Sequence, residues 1–396
     1  MCVIYALTFL VVLPMLYSNS PHSVYFVGWS RERIIEEGMI ANELRFGEAS
    51  RYLSRLNRTE TLSFYRSLQQ QATVDMAIAV VSVKRTGVNG SVGYLTQVVT
   101  ELDKIYKRDV NFRNVMFICN TFAGPGTHEE AENLARYFPV ETRFPAGSTD
   151  ETTTTTTTGN FSYDKEKQDY VYCMQKALQY PTKHVCILQD DAVPRPDTFA
   201  ILKHVVETRV RTKHVADEAI SRDWASVKLF YPGCWLGYEL RNNRHHIELL
   251  SIGVAGGGLY LLATLSLGLF ASDMPRLVYY RTLLRVGLYC ILVCLAIGRQ
   301  NVHAMQRLSK HFYSVWPAPE CCIPATLFKA GPARDIARHL ATVNCSRDLP
   351  LDIAMAAYTD AKNYASFLVQ PNLITHIGLM SSLKGVSDNP EEFVFV

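Results

Sequence analysis

Two adjacent carboxylates, Asp190 and Asp191, follow the apolar run His184-Val-Cys-Ile-Leu-Gln. A run of that texture is a strand buried on both faces, and ligands of open α/β sheets bind beyond the carboxyl ends of such strands. Neighbouring acids repel each other. A divalent cation removes that penalty and can also offset charge developing on a departing diphosphate. Hard carboxylate oxygens suit Mn²⁺ or Mg²⁺. Asp-Asp pairs are common in ordinary turns, so the pair draws its meaning from the strand before it and from Pro194 and Pro196 after it.

The elements that must position these acids are visible in the periodicity. Residues 76–83 (MAIAVVSV), 115–119, 184–188 and 224–230 read as buried strands, with 325–328 and 366–369 as two more beyond a long apolar interruption. Leu95, Val98, Val99, Leu102, Ile105 and Tyr106 recur at helical spacing, as do Tyr170, Val171, Met174 and Leu178 in a helix over 164–180 that Pro181 ends. Gly124-Pro125-Gly126 precedes a capping pair, Thr127 and Glu130, expected to open a helix reaching Phe138. Pro332 and Pro350 open two later helices, residues 31–68 read as amphipathic helices flanking the core, and the threonine tract 152–158 reads as a surface loop. Strands alternating with helices predict an open, largely parallel α/β sheet. Its two halves are each too short to bury a large core alone.

Of the 396 residues, 48% are hydrophobic and 19% charged, with a mean hydropathy near zero, which strains a purely soluble reading. A net charge of +3 is too small an excess for a nucleic-acid surface. The apolar excess lies in residues 2–17, 249–270 and 277–297, the last interrupted by Arg281 and Arg285. The second run reaches the roughly 20 residues that a spanning helix needs, and bilayer helices tolerate its Gly256-Gly257-Gly258. With the short link 271–276, the two later runs read as a transmembrane hairpin, Arg276, Arg281 and Arg285 lying at its cytoplasmic turn. A buried hairpin of a soluble protein is the competing reading. The first run is either a cleaved signal peptide or a retained anchor, and the lack of a small-x-small site after Tyr17 favours the anchor.

Sequons at Asn57, Asn89 and Asn160 precede the hairpin and one at Asn344 follows it, so both flanks are expected to be lumenal. Seven of the ten cysteines lie outside the apolar runs and cannot all pair internally; their connectivity stays open, and no Cys/His spacing suggests zinc.

Val83-Lys84-Arg85 after the first strand, Tyr94-Leu95 on the next helix, Ile187-Leu188-Gln189-Asp190-Asp191, Pro371-Asn-Leu-Ile-Thr-His-Ile-Gly378 and Ser381-Ser382-Leu383 together resemble the GT-A glycosyltransferases related to N-acetylglucosaminyltransferase IV. The hairpin inside the catalytic domain is similar to that of the Golgi GPI-anchor N-acetylgalactosaminyltransferases, of the post-GPI-attachment-to-proteins group. The resemblance implies a Rossmann-like GT-A domain split by a transmembrane hairpin. It divides the chain into an anchor at 1–17, a helical stem at 18–74, a first GT-A half at 75–246, the hairpin at 247–298 and a second half at 299–396.

It further implies inverting transfer of N-acetylgalactosamine from UDP-GalNAc to a mannose of the GPI glycan, by a multi-pass Golgi membrane protein with a lumenal catalytic domain and GPI-anchored proteins as acceptors. Asp191 and His376 would hold Mn²⁺ or Mg²⁺. Asp190, Val83, Lys84 and Arg85 would border the nucleotide, and Asp352 would be the base for the acceptor hydroxyl. Plainer readings compete: Lys84 and Arg85 as solvated charges ending a strand, His376 as a structural residue, and Asp352 as a helix-dipole partner, with Asp348 and Glu320 as weaker candidates for the base. Gln189 departs from the acid usual at the motif's first position. An N-acetylglucosaminyltransferase acting on N-glycan mannose and a non-catalytic membrane adaptor remain as alternatives.

Overall fold

A computed structural model describes residues 2–87, 90–108, 113–123, 127–144, 160–210, 223–239, 241–267, 276–381 and 385–394. Gly124-Pro125-Gly126, the threonine tract, Asn89, the hairpin link from 271 to 275 and Ser382-Leu383 lie outside them. The chain divides into two compact units, one of Met1–Ser30 with Pro232–Leu308 and one of Arg31–Tyr231 with Ser309–Val396.

In the larger unit, helices α1 (Arg31–Ser54) and α2 (Arg58–Gln69) lead into strand β1 (Val74–Ser82). Asn57 starts α2 by accepting from the Thr59 and Glu60 amides. Then follow α3 (Tyr94–Arg108), β2 (Asn114–Asn120), β3 (Val140–Thr142), α4 (Asn160–Ala177), β4 (Thr182–Gln189), β5 (Ala192–Pro194) and β6 (Trp224–Lys228). From Ser309 onward come β7 (Ser314–Pro317), β8 (Ala325–Lys329), α5 (Ala330–Leu340), α6 (Leu351–Ala361), β9 (Ala365–Gln370) and β10 (Ile374–His376).

Eight strands form one sheet in the order β3-β2-β1-β4-β8-β6-β9-β7. Parallel pairing joins β3, β2, β1 and β4, and also β6 with β9. β8 runs antiparallel between β4 and β6, and β7 antiparallel to β9, so the sheet is mixed at this end. Strands from before and after the apolar interruption therefore interleave. The core confirms why both halves are needed, since period-2 alternation sends successive side chains to opposite faces. Ile78, Val80, Met116 and Ile118 pack with Leu95, Val98 and Leu102 of α3. Ala77, Ala79, Phe117, Val185 and Ile187 pack with Tyr170 and Met174 of α4 and with Ile336 and Leu340 of α5. Among these, each fully buried Val, Leu, Ile, Met or Phe side chain contributes about 1.5–3 kcal/mol.

A disulfide joins Cys119 of β2 to Cys173 of α4, a crosslink across 54 residues that stabilises by about 4 kcal/mol in the chain-entropy account. Cys321 and Cys322 form a second, between neighbours. The expected cap at Thr127 is not formed. The helix there is Glu129–Leu134 with His128 at its N-cap position, and Glu130 instead accepts from the amide and hydroxyl of Thr96, at 2.7 Å each, in the first turn of α3. That turn is buried, so its exposed-backbone donors need a protein partner more than a surface turn does.

The smaller unit contains helices Asn243–Ser266 and Arg276–Ile297. Both are long and apolar enough to cross a membrane, and only 6% and 11% of their apolar windows is buried. They approach closely where glycines face: a methyl on Gly287 would stand 2.9 Å from the Gly253 carbonyl oxygen. Residues 2–17 are helical and pack on the second of these helices, with Tyr5 donating to the Arg285 carbonyl at 2.8 Å and Thr8 bonded to the Tyr289 hydroxyl at 2.8 Å.

Candidate active site

The register of the parallel pair β1–β4 sets Val81 beside Gln189, so the residues just past each strand are level with one another. The Val83 amide accordingly donates to Asp190 Oδ2 at 3.1 Å. Arg85 turns back over both acids, Nη2 to Asp190 Oδ1 at 2.7 Å and Nη1 to Asp191 Oδ2 at 2.9 Å. Nη1 also donates to the Met380 carbonyl at 3.0 Å, and the guanidinium lies 5.6 Å from the centre of the Tyr94 ring. Tyr94 in turn accepts from the Met380 amide, tying α3 to the chain's last segment.

His376 arrives by a different route. Strands β5 and β10 pair antiparallel with His376 opposite Ala192, and the Ile377 amide donates to the Asp191 carbonyl at 2.9 Å. This places His376 Nε2 3.4 Å from Asp191 Oδ2, between the rings of Phe230 and Phe393. Gly378 makes the approach possible: a Cβ there would sit 2.2 Å from Asp191 Oδ2 and 3.1 Å from His376 Nε2.

These groups face a cavity of about 410 Å³, within the usual size for a small-ligand site. Val83, Lys84, Arg85, Asp190, Asp191 and His376 all line it. Lys84 differs from Arg85 in direction, since its ammonium donates to the Thr127 carbonyl at 3.0 Å and stands 5.2 Å from the centre of the Phe122 ring. Asp352 is not among the lining residues. It lies in the first turn of α6, accepting from the Cys322 amide and from the Ile353 amide, each at 3.0 Å.

Burial pushes Asp190 above the usual carboxylate range, against the pull of Arg85. Asp191 is buried as deeply, yet Arg85 and His376 outweigh that burial and hold it well below the range. One guanidinium cannot neutralise two buried carboxylates, and the cost of burial is felt at Asp190, whose neutral form is favoured.

The donor set fits a hard divalent cation. Asp191 Oδ2 and His376 Nε2 stand near the roughly 3 Å that separates neighbouring ligands of an octahedral ion, and Asp191 Oδ1 is buried with no partner among the described residues. No group of three or more His, Cys, Asp or Glu is assembled among the described residues, so the protein would supply two ligands. Substrate phosphates and water usually complete such a site.

Helix α4 contributes a wall that the sequence reading did not anticipate: Lys165, Glu166, Asp169 and Tyr170. Asp169 is matched by Lys165 and Arg143. Glu166 forms no hydrogen bond or ion pair among the described residues, and burial, then the nearby Asp352, raises it to about 7. The signal that could have found it is helical spacing, since Glu166 lies one turn before Tyr170 on the stripe continued by Cys173, Met174 and Ala177, all buried.

A sequence model of the family described as GPI-N-acetylgalactosamine transferase PGAP4 matches residues 76–375. The match runs from the first residues of β1 to Thr375, spanning the acid pair and both sides of the apolar interruption. A match over that much of the sheet, with a cavity at the carboxyl ends of its strands, leads to one conclusion: the chain belongs to the GPI-N-acetylgalactosamine transferase PGAP4 family and is a glycosyltransferase.

Proposed function

We propose that this chain transfers N-acetylgalactosamine from UDP-GalNAc to a mannose of the GPI glycan with inversion at the sugar carbon. The observation that carries this reading is the meeting of Asp191 with His376, 3.4 Å apart, on the wall of a ligand-sized cavity at the carboxyl ends of β1 and β4. Asp191 and His376 would hold Mn²⁺ or Mg²⁺, which when bound neutralises charge on the leaving diphosphate. Arg85 and Lys84 border the same space with positive charge suited to phosphate oxygens, and the Val83 amide and Arg85 fix the carboxylate of Asp190 where a ribose or the cation can meet it. Glu166, on the cavity wall with Asp352 behind it, supplies negative charge where an acceptor hydroxyl must lose its proton.

The first apolar run serves as an anchor and the two long apolar helices as a membrane hairpin, in a multi-pass Golgi protein whose catalytic unit is lumenal. Asn57 and Asn344 are exposed, as glycosylation would require. The hairpin lies in the chain between β6 and β7, so it tethers the catalytic unit to the bilayer that holds a lipid-anchored acceptor and raises the acceptor's effective concentration. Replacing it with a soluble linker should lower turnover of GPI-anchored substrates more than that of a free glycan mimic; equal losses would contradict the tether.

The donor is tested by comparing UDP-GalNAc with UDP-GlcNAc as substrates of the purified protein. GalNAc transfer is expected. Preference for GlcNAc, and for N-glycan mannose as acceptor, would establish the alternative enzyme, because sugar choice rests on pocket contacts that the shared motifs do not fix.

A further inference from the structure

The cavity has two acidic regions, and only one has a built-in counter-charge. Asp190 and Asp191 share Arg85, whereas Glu166 faces the cavity from α4 without a hydrogen bond or ion pair among the described residues. A half-buried carboxylate in that state costs free energy, and helix α4 gains no packing from it that an apolar side chain would not improve. Its position explains its presence. Glu166 is on the inward stripe of α4, on the cavity wall, in an ion pair with no lysine or arginine among the described residues, and Asp352 of α6 stands close enough to repel it.

Asp352 is poorly placed to take a proton itself. Both its oxygens already accept backbone amides, those of Cys322 and Ile353, and it does not line the cavity. Lys228, which feels the charge of Asp352, gives its ammonium to the carbonyls of Pro319, Glu320 and Cys321 at 2.7–2.8 Å. Asp352 thus acts on Glu166 through its nearness rather than by taking the proton.

We propose that Glu166 is the catalytic residue that receives the proton of the acceptor hydroxyl, and that Asp352 acts through it as a positioning residue. The inference rests on the sugar-nucleotide reading above. In the step, the acceptor oxygen forms a bond to the anomeric carbon, the bond from that carbon to the β-phosphate oxygen breaks with its electron pair leaving on the diphosphate, and the hydroxyl proton passes to a carboxylate oxygen of Glu166. Burial first, and Asp352 second, raise the proton affinity of Glu166 to about 7, the range in which a base works best at neutral pH. The groups that act on it are Asp352 of α6, Asp169 of its own helix, and Asp191 and Arg85 across the cavity; Arg85 alone lowers it. Tyr170 and Cys345 also lie within its field.

The test uses the full-length protein in detergent with UDP-GalNAc and a mannose-bearing GPI glycan. Glu166→Gln should lower kcat by about 10²- to 10⁴-fold, the usual contribution of a positioned base, while UDP affinity by calorimetry stays at the wild-type value. Glu166→Asp should fall between the two, and Glu166→Ala should regain turnover as formate is added, a rescue that a structural role would not give. Wild-type turnover by Glu166→Gln, loss of its UDP binding, or no response of Glu166→Ala to formate would each overturn the assignment. Failure of the wild-type protein to bind UDP would instead remove the sugar-nucleotide reading, which separates the two.

Discussion

The two acidic regions of the cavity are built on opposite principles. At Asp190 and Asp191, β1 and β4 deliver an arginine and a backbone amide to the carboxylates they bring together, and β10 adds an imidazole. Nearly every buried charge there has a partner, and removing one partner strands another. At Glu166 and Asp352, two helices bring carboxylates near each other, neither in an ion pair among the described residues. The first arrangement holds a geometry; the second holds a proton affinity. The contrast teaches that residues which stabilise a site and residues which react in it can be told apart by whether their charge is already answered, since functional groups are commonly kept in environments that cost stability.

The comparison can be broken most severely at Arg85. Arg85→Ala leaves two buried carboxylates without their cation and should cost about 3–5 kcal/mol, read as a lower midpoint in chemical or thermal unfolding, with loss of transfer. An unchanged midpoint would mean that the guanidinium does not hold the pair. Glu166→Gln should act in the reverse direction on stability, raising it by about 0.5–2 kcal/mol at pH 8, where the wild-type carboxyl is charged, even as transfer falls. Destabilisation by that variant would place Glu166 with the answered charges.

A subtler effect appears in pH profiles. Glu166 must be ionised to accept a proton, so kcat should rise with pH through a limb near 7. Asp352→Asn removes a neighbouring negative charge, lowers the proton affinity of Glu166 and should move that limb to lower pH. A limb that stays in place would show that Asp352 does not act through Glu166.

Much of the sheet was legible because strands buried on both faces leave continuous apolar runs, as at 76–83 and 184–188, and because Asp190-Asp191 follows such a run directly. The nearness of His376 to Asp191 was legible only through resemblance to a family; its physical cause is the register of β5 with β10, short strands of three residues each that carry no periodic signal. The antiparallel β8 was also hidden, since strand direction does not alter an apolar run. Glu166 was obscured by its surroundings. In Asp164-Lys-Glu-Lys-Gln-Asp169 the charges look like a solvated face, and only the phase set by Tyr170, Cys173 and Ala177 shows that Glu166 lies on the inward stripe. The cap assigned to Thr127 and Glu130 failed for a related reason: a local pattern fits two partners, and the buried amide of Thr96 won the carboxylate.

If the site works as proposed, Asp191 is indispensable to sugar transfer from UDP-GalNAc. Purified wild-type protein and Asp191→Asn, matched for UV-monitored elution and glycosylation, would be incubated with UDP-GalNAc and a GPI glycan, and the product read by mass spectrometry. The account predicts a glycan heavier by one N-acetylhexosamine with the wild-type protein and none detectable with the variant; equal product from both would contradict it.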